Sequence, residues 1–117
     1  MQVDLELALT NPSDIEIHLV QERLPEDFYV EDRSKKGWGL VIRTSRELPE
    51  DEASAVDFFL SQLRPLADLI KRTTAIFRVG AFHDTVTCTV HFKSCTDLVT
   101  LGASLEISTY PCSDEQA

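Results

Sequence analysis

Residues 49–72 read PEDEASAVDFFLSQLRPLADLIKR, and this stretch decides the fold. Val56, Phe59, Leu60, Leu63, Leu66, Ala67 and Ile70 recur at spacings of three and four, which puts them on one stripe of an α-helix. Phe58 lies beside the stripe and widens it. Pro49 suits a first helical position, because it has no N–H to leave unbonded. Glu50, Asp51 and Glu52 set negative charge against the positive end of the helix dipole, and Lys71 and Arg72 set positive charge at the other end. The spacing predicts one long amphipathic helix over 49–72. Pro65 interrupts it: an interior proline removes a hydrogen bond and clashes one turn back, at a cost of ~3 kcal/mol. A kink at Leu63–Pro65, or two helices in tandem, is therefore expected.

The flanking sequence reads mostly as strands. Val3, Leu5, Leu7 and Leu9 alternate with Gln2, Asp4, Glu6 and Ala8, the period of a half-buried strand. Residues 13–24 admit two readings. Ile15, Ile17 and Leu19 alternate as in a strand. Asn11–Pro12 as a cap, early acids at Asp14 and Glu16, and Ile15, Leu19 and Arg23 on one face favour a helix ending before Pro25. Phe28–Val30, a turn at Arg33–Gly37, and Trp38–Arg43 form a candidate hairpin, with Trp38, Leu40 and Ile42 inward and Trp38 as a core anchor. After the long helix, Ala75–Ala81 and Val86–Phe92 alternate on either side of His83–Asp84 and predict a second hairpin. Ser94 and Asp97 resemble a capping box. It would open a short helix that Gly102 ends. Leu105–Tyr110 reads as the last strand. The expected fold is α+β: a largely antiparallel sheet of five or six strands packed on one long kinked helix, plus short helices. Residues 1–111 form a single domain and 112–117 a polar tail.

Composition narrows the function classes. The chain has 117 residues, 43% of them hydrophobic, enough for one domain with a real core. Its net charge of −9 opposes binding to the phosphates of nucleic acid and favours a basic protein partner. Residues 1–60 hold 14 acids and 6 bases, whereas residues 61–117 hold 6 acids and 5 bases. Three cysteines without framework spacing, no basic leader and no run of ~18 apolar residues predict a reducing, cytoplasmic setting with no membrane span.

Chemistry-bearing residues are scattered. Cys88, His91 and Cys95 lack the tight pairs of a zinc site, and on a strand Cys88 and His91 would face opposite ways. His83 and Cys112 complete the soft ligands, and nothing near Cys112 would lower its pKa. Gly37 and Gly39 lack the helix that a phosphate-binding glycine loop needs. No catalytic residue, metal or cofactor is predicted.

The succession Gly37-Trp38-x-Leu40-x-Ile42, long helix, two strands, short helix ending in Leu101-Gly102, then Leu105 to Tyr110 resembles a family of small bacterial and phage α+β proteins of unknown function. Some of that family are linked to toxin–immunity loci. The resemblance covers most of the chain, but the segment before Trp38 is shorter here. It carries no catalytic residues over, and it implies an immunity-type role.

The leading expectation is a non-enzymatic protein-binding module, an immunity-type inhibitor that neutralises a basic toxin or nuclease through an acidic surface. The predicted partner-binding residues are Glu26, Asp27, Glu31 and Asp32, with Glu50, Asp51 and Glu52 behind them. One alternative is a phage-encoded inhibitor that mimics nucleic acid to block a bacterial defence complex. Another is a small ligand-binding domain, with Arg78 or His91 turned into a cavity under the helix. The chain is expected as a monomer, or as a homodimer through an open sheet face.

Overall fold

The computed structural model describes residues 2–33, 39–84, 87, 89–92 and 95–111. Trp38 and the turn expected before it (34–37), Val86, Cys88, Ser94 of the expected capping box, Cys112 and the 112–117 tail lie outside them, with the expectations attached to them. The chain runs β1 (Gln2–Thr10), α1 (Asp14–Arg23), β2 (Phe28–Asp32), β3 (Leu40–Thr44), α2 (Glu52–Leu63), a 3₁₀ turn (Arg64–Leu66), α3 (Ala67–Ile70), β4 (Thr74–His83), α4 (Thr96–Leu101) and β5 (Ala103–Pro111). The fold is α+β, as expected. Its five-stranded sheet has the order β2-β3-β1-β4-β5.

Two expectations are corrected. The stretch 49–72 is not one long kinked helix. Asp51, not Pro49, opens α2: its carboxylate accepts from the Ser54 N–H at 2.9 Å. The helix stops at Leu63, and the 3₁₀ turn holds Pro65 within its first two positions before α3 resumes. The expected tandem arrangement is what forms, because a 3₁₀ turn takes proline near its start without asking for its missing N–H.

The sheet is also not antiparallel throughout. β1 pairs antiparallel with β3 and β4, and β2 with β3, but β5 runs parallel to β4 with Phe77 opposite Leu105 and Val79 opposite Ile107. Among the described residues the expected hairpin partner of β4 is not formed: Thr87 and Thr89–Phe92 are not strand, and β1 and β5 occupy both sides of β4. Val90 and Phe92 instead pack against the core. α4 then carries the chain back to start β5 beside the start of β4. Gly102 ends α4 at φ +64, and its N–H donates to the carbonyls of Leu98 and Val99. This is the left-handed helix stop that glycine adopts without strain.

Residues 14–23 are helical. Ser13 caps them: its hydroxyl accepts from the Glu16 N–H at 3.2 Å, and the Glu16 carboxylate accepts from the Ser13 N–H at 2.9 Å. The expected face of Ile15, Leu19 and Arg23 is not the buried one. Ile15 is 73% exposed and Arg23 is exposed, whereas Val20 is buried and Ile17, Leu24 and, from the expected face, Leu19 pack beside the core. Ile17, Val20 and Leu24 share the spacing of one helical stripe.

The core lies between the helices and one face of the sheet. Leu5, Leu7 and Leu9 of β1, Phe77 and Val79 of β4 and Ile42 of β3 meet Val56, Phe59, Leu60 and Leu63 of α2. Phe59 sits centrally, its ring 5.4 Å from that of Phe28 and 5.7 Å from that of Phe77. These rings fill the space under α2 where a ligand cavity was one alternative. Arg78 lies on the opposite sheet face and His91 is exposed. Gly39, at φ +73, passes so close to β1 that a Cβ would stand 2.4 Å from the Leu9 carbonyl oxygen. Only glycine fits that approach.

Candidate functional site

The structure divides the seven predicted partner-binding acids. Glu26 and Asp27 sit in the turn before β2. Asp27 takes φ +66, and its carbonyl accepts from the Ser45 N–H at 2.9 Å and the Thr44 hydroxyl at 2.8 Å. This ties the turn to the segment that follows β3. That segment, Ser45–Asp51, carries Glu47 and Glu50 and leads to Asp51 and Glu52 at the start of α2. A cleft of about 490 Å³ lies beside it, lined by Gln2, Val3, Leu48, Pro49 and Glu50. Glu26, Asp27, Glu50, Asp51 and Glu52 thus gather at one end of the sheet, and Glu47 joins them. We call this end the acidic pole.

Glu31 and Asp32 do not belong to it. They are successive strand residues and so face opposite ways. Asp32 pairs with Leu40 at the far end of β2, roughly 13 Å from Phe28 at ~3.3 Å per residue. There it lines a second cleft, of about 410 Å³, with Thr10, Asn11, Asp14 and Ile17. Glu31 is engaged by Arg33, whose guanidinium donates to it at 2.6 Å and 3.1 Å.

At the pole, chemistry is limited to charge and shape. Among the described residues, Glu26, Asp27, Glu47, Glu50 and Glu52 have no ion-pair partner. The one base in the 45–52 segment, Arg46, stands 5.1 Å over the Phe58 ring. Asp51 spends its carboxylate on capping, with the Ser54 hydroxyl donating to it at 2.8 Å. Leu48, Pro49 and Val3 supply an apolar patch among the acids. An apolar patch ringed by charge is the usual anatomy of a protein-binding surface.

The sheet face opposite the helices was not singled out from the sequence, and there the acids are paired. Arg43 donates to Asp4 at 2.6 Å, Arg33 bridges Glu31 and Glu6, and Arg78 lies 3.5 Å from Glu106. Arg33 reaches from the end of β2 across β3 to β1, and Val41 and Ala8 along that span have no exposed surface. The hydrogen bond to Glu31, with the charges of Glu6 and Glu31, holds the Arg33 guanidinium above its ordinary pKa against the opposing effect of burial. Phe82 and Tyr110 stack at 5.1 Å on the same face. The alternation of Asp4 and Glu6 in β1 was visible in the sequence, but their arginine partners come from strands whose register only the fold supplies.

Among the described residues no group of three His, Cys, Asp or Glu is placed to hold a metal ion. No described helix is long and apolar enough to cross a membrane. Cys95 is exposed and unbonded. Comparison with protein-family models, curated proteins and solved structures finds no match to this chain.

Proposed function

We propose that this chain is a non-enzymatic protein-binding module, an immunity-type inhibitor whose acidic pole seats on the basic surface of a toxin or nuclease. One observation carries the reading. Glu26, Asp27, Glu47, Glu50 and Glu52 lie at one end of the sheet with no ion-pair partner among the described residues, while the acids of the opposite sheet face are matched with arginines. Like charges left unmatched repel one another and work against the fold. A basic partner relieves that repulsion and is steered in by it. Association under such steering reaches on the order of 10⁸–10⁹ M⁻¹s⁻¹ at low salt and falls steeply as salt is added. The Leu48–Pro49 patch supplies the apolar centre that charge alone lacks. The resemblance to proteins linked to toxin–immunity loci supports the same class of partner.

The test is affinity capture from the native host with mass spectrometry, followed by binding kinetics of the captured protein at two salt concentrations. A basic partner is expected, with association slowed roughly tenfold or more by combined charge reversal at Glu26, Glu47 and Glu50. Reversal at Asp68, on α3, serves as the control and leaves the rate near that of the parent. A partner bound equally well by the pole-reversed chain sinks the proposal. Capture of a nucleic-acid-binding defence complex instead of a toxin would favour the nucleic-acid-mimicking inhibitor, which uses the same charge.

A further inference from the structure

We propose that β5 is an association edge whose occupant is the β5 strand of a second copy of this chain. The inference stands whichever protein the acidic pole binds. β5 ends the sheet, and among the described residues β4 is its one strand partner. A strand paired on one side presents a row of backbone donors and acceptors to any matching strand, and proteins blunt such edges with short strands, charges and prolines. β2, the other edge, is blunted: it has five residues, ends in Glu31-Asp32, and is followed by Arg33. β5 is not. It runs nine residues with no proline before Pro111 and one charge, Glu106, which faces Arg78.

The apolar row of the core also runs off this edge. Phe77 and Val79 of β4 are buried, yet Leu105 and Ile107 beside them, on the same sheet face, are 39% and 44% exposed. A second copy would continue that row.

The distribution of charge selects the occupant. A basic protein is drawn to the pole, on the β2 side of the sheet. The half of the chain that contains β5 is close to neutral, with 6 acids and 5 bases in residues 61–117. A chain of net charge −9 can meet its own copy along β5 with little repulsion. In the resulting ten-stranded sheet, strands at ~4.8 Å spacing keep the two poles far beyond the screening length of ~8 Å at physiological salt.

Charge also selects the register. A two-fold axis through Ile107 makes the pair antiparallel and sets Ile107 against Ile107, Leu105 against Thr109, and Glu106 against Ser108 of the second copy. An axis through Glu106 would oppose two carboxylates, which destabilises a strand pair. Because the axis is perpendicular to the sheet, both helical layers fall on one side, and the contact closes as a symmetric dimer.

Sedimentation equilibrium across the micromolar range tests this. The parent is expected to approach twice its 13.2 kDa mass as concentration rises. Ile107→Lys is expected to hold it at monomer mass, with an unchanged circular dichroism spectrum. A second variant reads the register: with Cys88, Cys95 and Cys112 replaced by Ser, Ile107→Cys lies on the axis, and mild oxidation should link two chains, because facing Cβ atoms stand ~5 Å apart. Leu105→Cys in the same background faces Thr109 and should link far less. A parent at monomer mass throughout the range overturns the proposal. So does a dimer that Ile107→Lys leaves intact and that Ile107→Cys does not link.

Discussion

The two faces of the sheet are built from the same strands by opposite means. On the helix side Leu5, Leu7, Leu9, Phe77 and Val79 exclude water by packing against α2. On the other side Asp4, Glu6, Arg43 and Arg78 alternate with them in sequence and remain at or near the surface, paired. Burial of apolar area is non-directional and scales with area, so the helix side bears most of the stability. Exposed ion pairs contribute little each. They keep the second face polar and hold its long side chains in place. The difference teaches that charge is arranged in two ways here: on the open face it is matched internally, and at Glu26, Asp27, Glu47, Glu50 and Glu52 it has no ion-pair partner among the described residues.

The comparison breaks first at its centre. Phe59→Ala removes a fully buried ring that touches β2 and β4 through Phe28 and Phe77, and is expected to cost about 3–5 kcal/mol in denaturant unfolding. A loss under about 1 kcal/mol would mean that the helix layer is not what holds the sheet.

The helix side contains one buried carboxylate among the described residues, Asp97, bound by Arg64 at 2.5 and 2.9 Å. The two ends of this pair differ, because the Asp97 side chain is 8% exposed and the Arg64 side chain 58%. Arg64→Ala leaves a carboxylate that water barely reaches without its cation and is expected to cost about 2–3 kcal/mol. Asp97→Ala leaves a guanidinium that water solvates and is expected to cost about 1–2 kcal/mol. Urea titration of both variants checks the order, and equal costs would refute the asymmetry.

A smaller effect is expected at the α1 cap. Ser13→Ala removes one half of the reciprocal pair, for about 1 kcal/mol. The backbone N–H of Ser13, and then its hydroxyl, hold the Glu16 carboxyl below the usual carboxylate range. The carboxylate half of the cap is therefore at full strength at neutral pH and is lost as pH falls through that lowered value, while the hydroxyl half persists. The gap in thermal midpoint between parent and Ser13→Ala should accordingly narrow in acid. A gap that widens would reverse the sign of this linkage.

The smallest effect is on the open face. A double-mutant cycle on Asp4 and Arg43 is expected to give a coupling of about 0.2–1 kcal/mol that shrinks in salt. A coupling several times larger would make that face a source of stability rather than of surface chemistry.

Much of the fold was legible because period and punctuation are local. β1, the β2–β3 hairpin, the α2 stripe, the break at Pro65 and the stop at Gly102 all follow from neighbours within a turn or two. What was not legible is non-local. The β-branched run before Phe92 has strand propensity but no free side of β4 to pair with, since β1 and β5 already flank β4. The parallel pairing of β5 depends on where α4 delivers the chain. Ile15 and Val20 are equally apolar, and only the position of α1 on the core decides which is buried. The candidate site divides the same way. The acids were visible as residues, and the fold then sorted them: Asp27 is joined to Ser45, Glu31 is taken by Arg33, and Asp32 is carried to the far end of β2. Glu47 drew no notice until the turn at Asp27 brought Glu26 beside its segment.

The place of β1 has a consequence for how the molecule forms. It precedes the other four strands in sequence and lies in the middle of the sheet, between β3 and β4. Its longest ladder pairs Gln2 with Phe82 and Thr10 with Thr74. On a ribosome the leucines of β1 therefore emerge well before either neighbour, and its longest ladder cannot form until β4, Thr74–His83, has been made. Topologies dominated by such distant pairings fold on the order of milliseconds to seconds. The nine residues of β1 are thus the ones that wait longest, and a chaperone has that interval in which to meet them.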